Sequence, residues 1–109
     1  MKLMNINMHK EDNELFIELD GIWDMSASEE FVMACASLGE TDTNVTVDLD
    51  KVEYVYVSGL RQLLYIQYLA AKKHYRLKII NVDQRTYKKL LDLNYIERMD
   101  ITTKIEEQS

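Results

Sequence analysis

A chain of 109 residues with 47% hydrophobic side chains is sized for one domain spanning 1–109, and it is too apolar for a disordered tail. Asp and Glu number 19 against 13 Lys and Arg, and a net charge of −6 repels phosphate backbones, which excludes nucleic acid as the expected partner. A single cysteine, Cys35, excludes an internal disulfide and a multi-cysteine metal site.

No apolar run approaches the ~20 residues of a membrane span. The N-terminal MKLMNINMHKED lacks the apolar core of a signal peptide. The expectation is a cytoplasmic protein without direct membrane insertion.

Met1–Lys10 alternates loosely through Ile6 and Met8 and reads as an edge strand. Glu11-Asp12-Asn13 is a polar turn into a second strand, Glu14–Trp23, with Leu15, Ile17 and Leu19 on one side. Gly21 marks a bend or bulge in it. Asp24–Leu38 reads as a helix, capped by Ser26 or Ser28, with Phe31, Ala34, Cys35 and Leu38 inward and Gly39 at its end.

Asn44–Asp50 is a β-branched strand with Val45, Val47 and Leu49 on one face. Lys51–Val57 reads as a connector. Ser58, a candidate N-cap, opens a helix that runs to about His74. On a helical wheel Leu60, Leu63, Leu64, Gln67, Ala70 and Ala71 share the sheet-facing side, with Ile66 at its border. Tyr65 and Leu69 then point outward, near Arg61. Scattered exposed apolar residues are ordinary; together the two also make a partner-binding patch.

Arg76–Val82 is a short buried strand, and strand–helix–strand is a βαβ unit requiring a parallel pair. Asp83 caps a third helix from Gln84 to about Leu93, with Tyr87, Leu90 and Leu91 inward and Asn94 ending it. Tyr95–Ile101 reads as a last short strand or turn, and residues 101–109 as a frayed tail.

No chemistry of an enzyme assembles. His9 and His74 lie in different elements, the three glycines are isolated, and no nucleophile elbow is present. No catalytic residue, metal or cofactor is expected. Asp48 and Asp50 read as a solvated strand exit. Function in a βαβ unit gathers where strand ends meet helix N-termini, here Tyr56-Val57-Ser58-Gly59. The free N–H groups of such a terminus also attract anions, so Ser58 is a phosphoacceptor candidate.

Four stretches in this order resemble the STAS domain, the fold of anti-sigma factor antagonists and of the cytosolic tails of sulfate transporters. They are Gly21-Ile22-Trp23-Asp24, where the family has Gly-Glu-Leu-Asp; Val47-Asp48-Leu49; Tyr56-Val57-Ser58-Gly59-Leu60, where it has Asp-Ser-Ser-Gly-Leu; and Asn81-Val82-Asp83. The resemblance covers most of the chain. It implies an α/β fold with a mixed four- to five-stranded sheet and helices mainly on one face.

The family's bacterial antagonists bind a kinase-type anti-sigma factor and are switched off by phosphorylation of the first Ser of that motif. Here Val57 stands in that place and cannot accept a phosphoryl group, and Tyr56 replaces the Asp. The resemblance therefore implies a non-enzymatic interaction module that binds an anti-sigma factor or kinase-type partner without the serine switch. The expected partner-binding residues are Asp24, Tyr56, Val57, Ser58, Arg61, Tyr65 and Leu69. The alternatives are a STAS accessory subunit docking a transporter ATPase of the ABC lipid-transport type, or a relay phosphorylated on Ser58. A small-ligand domain is a further class, and the reading leaves room for a homodimer.

Overall fold

The computed structural model describes residues 4–12, 14–24, 33, 44–95 and 100–104. Five strands form one mixed sheet in the order β1-β2-β3-β4-β5. β1 (Met4–Glu11) and β2 (Glu14–Trp23) make an antiparallel hairpin in which Glu11 faces Glu14 across a two-residue turn. Asp12 adopts φ 54° there, the left-handed conformation such turns require. β3 (Asn44–Val55), β4 (Leu77–Val82) and β5 (Asp100–Thr103) continue the sheet in parallel.

Period-two alternation delivers the core. Leu15, Ile17 and Leu19 of β2, Val45, Val47 and Leu49 of β3, and Leu77 and Ile79 of β4 are all buried, at 5% exposure or less. Each fully buried side chain of this kind contributes about 1.5–3 kcal/mol of transfer free energy. The intervening Phe16, Glu18, Thr46, Asp48, Lys78 and Ile80 are half-buried or exposed. Among the described residues, one face of the sheet thus carries the helices and the other is open.

α1 (Val57–Lys73) crosses from β3 to β4 and packs Leu60, Leu63, Ile66, Leu69 and Ala70 inward. It ends at His74, whose φ of 62° turns the chain and whose N–H donates to the Ala70 carbonyl. α2 (Gln84–Asp92) starts where the Asp83 carboxylate accepts from the Thr86 N–H at 2.7 Å, the expected cap. Asn94 at φ 60° follows it. Gly21 at φ 116° sits at a break in the β2–β3 register, the bulge expected there.

Several expectations are corrected. β3 does not stop at Asp50: it pairs with β2 through Lys51, Val52, Tyr54 and Val55, so the connector shrinks to Tyr56. Leu69 is 8% exposed and faces the core, while Ala71 is exposed. The helix is turned by roughly 60° from the wheel reading at 100° per residue. Ile66, expected at the border, is fully buried, and Leu64 is only half-buried. In α2 the buried residues are Thr86 and Leu90, and Leu91 is 47% exposed. A last short strand or turn was expected over 95–101; β5 falls later, at Asp100–Thr103, and takes in residues 101–103 of the expected tail, and the following Lys104 donates its N–H to Val82 O at 2.8 Å and pairs with Asp50 at 2.9 Å. The helix expected over 24–38, with Ser26, Ser28 and Cys35, lies outside the described residues apart from Asp24 and a helical, exposed Met33.

Candidate functional site

The strand-end site forms because β2 and β3 finish together. Trp23 pairs with Val55, and the Tyr56 N–H donates to the Trp23 carbonyl at 3.0 Å. This sets half-buried Asp24 beside Tyr56 and the start of α1. Tyr56 is the N-cap, in extended conformation and without a side-chain cap bond, and its carbonyl accepts from Gly59 and Leu60. Ser58, expected as the cap, is instead the second residue of the helix and half-buried. Val57, just before it, opens to solvent at 48% exposure, as does Tyr56 at 51%.

Gly59 explains why the helix starts so close to the sheet. A Cβ there would meet the Trp23 ring at 2.9–3.0 Å and Val55 Cγ1 at 3.0 Å. Only a residue without a side chain lets the first turn rest on the fully buried Trp23. That close contact sets the rotation of α1 and so decides which residues face out.

The outward side carries Arg61, Tyr65 and Tyr68. The two tyrosine rings stack at 6.4 Å and an interplanar angle of 24°. Among the described residues, Arg61, Leu64, Tyr65, Gln67, Tyr68 and Ala71 line a groove of about 560 Å³. Gln67 lines this groove, and its Oε1 is buried with no hydrogen-bond partner among the described residues.

Tyr54, near the end of β3, lies against Tyr56 at the mouth of α1. Its ring meets Tyr56 edge-on at 4.9 Å, and the Lys89 ammonium sits 3.9 Å from its centroid. Lys89, by hydrogen bonding first and then by charge, pulls the Tyr54 hydroxyl below the ordinary tyrosine range, and Arg85 adds to the effect. α2 holds these cations in place: Lys89 Nζ donates to the Val55 carbonyl at 3.1 Å and Arg85 to the Glu53 carbonyl at 3.2 Å.

Of the expected partner-binding residues, the fold gathers Asp24, Tyr56, Val57 and Ser58 at one mouth. Arg61 and Tyr65 continue along the outer side of α1, and Leu69 does not belong. Tyr54, Arg85 and Lys89 beside Tyr56, and Tyr68 beside Tyr65, are neighbours that the sequence reading did not name. Tyr68 follows Tyr65 at i+3, a spacing visible in the sequence; the cations were legible only once α2 was placed. Asp48 is structural: its carboxylate accepts from the Asn81 side chain and the Asp50 N–H, both at 2.9 Å.

The sequence profile described as "Mlab, STAS domain" matches residues 6–94. The chain belongs to this STAS-domain family. No curated protein matches it. The STAS domain superposes on a Thermotoga maritima protein described as an anti-sigma factor antagonist with TM-score 0.80 at 11% identity, covering 92% of this chain and 87% of that one. An anti-sigma factor antagonist from Mycobacterium paratuberculosis gives TM-score 0.78 at 14% identity, covering 91% and 85%. The murine anion transporter Slc26a9 gives 0.69 at 14% identity over 89% of this chain and 17% of the transporter. Likeness at these identities establishes the fold. Among the described residues no helix is long and apolar enough to cross a membrane, and no group of three His, Cys, Asp or Glu side chains is placed to hold a metal.

Proposed function

We propose that this STAS domain is a non-enzymatic cytoplasmic module that binds a protein partner at the mouth of α1 and along its Arg61–Tyr65–Tyr68 side. In this reading the partner is an anti-sigma factor or kinase-type protein, and the serine switch is absent. The observation that carries it is Val57. An apolar residue, 48% exposed, occupies the solvent-facing position of the motif, flanked by exposed Tyr54 and Tyr56, while Ser58 is half-buried behind it. Exposed aromatic and apolar groups gathered in one place favour constitutive docking of a protein. A phosphorylated Ser58 is the weaker reading, since a kinase must reach a hydroxyl held within the first turn.

The family profile supports a second reading. Its description as Mlab favours an accessory subunit of an ABC lipid-transport complex, with the ATPase docked on the same surface. Co-purification from the native host decides. The tagged protein and a Val57→Asp, Tyr65→Ala, Tyr68→Ala variant serve as baits. A kinase-like protein held by the parent and lost by the variant supports the first reading. A transporter ATPase with the same dependence moves the protein to the second. Identical captures by both baits overturn the placement of the site.

A further inference from the structure

We propose that the outer edge of β1 is a self-association interface, on which a second copy of this chain pairs its own β1 antiparallel about Asn7. The interface is separate from the mouth of α1, and its test does not depend on the reading of that site.

β1 is a terminal strand of the sheet, and among the described residues nothing pairs with its outer edge. Its eight residues pair with β2 without a bulge, and the chain has no proline to blunt it. In a two-residue hairpin the closing pair, here Glu11 and Glu14, is hydrogen bonded, and bonded and non-bonded pairs then alternate. Alternation turns the backbone N–H and C=O groups of Met4, Ile6, Met8 and Lys10 outward.

One register satisfies all of these groups. With Asn7 opposite its own copy, Met4 faces Lys10 of the second copy and Ile6 faces Met8, each pair occurring twice by symmetry. Shifting by two residues loses outward pairs. The chosen register also unites the apolar side chains. Ile6 and Met8 lie opposite Leu19 and Ile17, on the core-facing side of the sheet, yet Met8 is 53% exposed and Ile6 half-buried. Each Met8 would cover the other copy's Ile6. No like charges face each other, since Lys10 meets Met4 and His9 meets Asn5. The opposing force is the net charge of −6 on each copy. Added salt screens that repulsion and therefore strengthens the dimer.

Sedimentation across a concentration series, at low and high salt, tests the association. The expected result is a monomer–dimer equilibrium that salt shifts toward dimer and that Met8→Lys abolishes without lowering Tm. Register is read by oxidative cross-linking. Asn7→Cys places two sulfurs in a non-hydrogen-bonded pair with Cα atoms about 4.5 Å apart, within disulfide reach. It should link rapidly, whereas His9→Cys and the parent should not. A parent that stays monomeric throughout, or a dimer that Met8→Lys leaves intact, overturns the interface. Equal linking of the two cysteine variants overturns the register.

Discussion

The two sides of α1 are made of similar residues and serve opposite ends. Inward, Leu60, Leu63, Ile66 and Ala70 are at 1% exposure or less and rest on the sheet. Outward, Tyr65 and Tyr68 are 47% and 59% exposed, with Leu64 half-buried in the same groove. Apolar character alone does not separate the two sides. What separates them is the contact at Gly59, where the first turn meets Trp23 and fixes the rotation of everything downstream. A helix apolar around much of its circumference needs such an anchor to choose which apolar residues face the sheet.

The sharpest way to break this comparison is at the anchor. Trp23→Ala removes the largest fully buried side chain and should cost about 3–5 kcal/mol, read by urea unfolding. A loss under about 1 kcal/mol would mean that the first turn does not rest on Trp23. The next contrast uses two leucines. Leu69→Ala should cost about 2–4 kcal/mol as a core truncation, while Leu64→Ala, half-buried at the groove, should cost about 1 kcal/mol. The reverse order would restore the helix rotation that the wheel suggests. Gly59→Ala is subtler. Its new methyl, 2.9 Å from the Trp23 ring, should cost about 1–3 kcal/mol through overpacking. The intrinsic helix preference for Ala over Gly works the other way by about 1 kcal/mol. A net gain in stability would show that the helix can lift from the sheet at no cost.

How much of this was legible follows from the physics of each element. β2, the first half of β3 and β4 were readable because one buried face imposes strict alternation, as in Val45, Val47 and Leu49. Asp83 and Gly21 were readable because a cap and a bulge have local chemistry. The second half of β3 was not, because Lys51, Glu53 and Tyr54 resemble a loop, and their strand pairing is supplied by β2. β5 was read too early, over 95–101, for the same reason: Asp100–Thr103 has one apolar residue, and β4 supplies the ladder. The rotation of α1 was missed because Leu60, Leu64 and Ala71 form as good an apolar arc as the true one. At the site, the mouth at Tyr56–Ser58 followed from topology. The Arg85 and Lys89 contribution required the position of α2, which no local pattern encodes.

The smallest expected effect on stability carries the functional weight. Tyr65→Ala with Tyr68→Ala removes two exposed rings that touch each other more than the core. Their stacking at 6.4 Å is a surface contact, and the pair should change unfolding free energy by no more than about 0.5 kcal/mol per residue. If the outer side is a docking surface, the same double variant should lose its partner while Tm stays put. Exposed aromatic residues at a protein interface are where truncation costs most in binding, about 2 kcal/mol or more per anchor. Stability and binding must therefore separate: a double variant that unfolds early would place the tyrosines in the fold, and one that binds normally would move the interface off α1 and back to the mouth at Tyr54, Tyr56 and Val57.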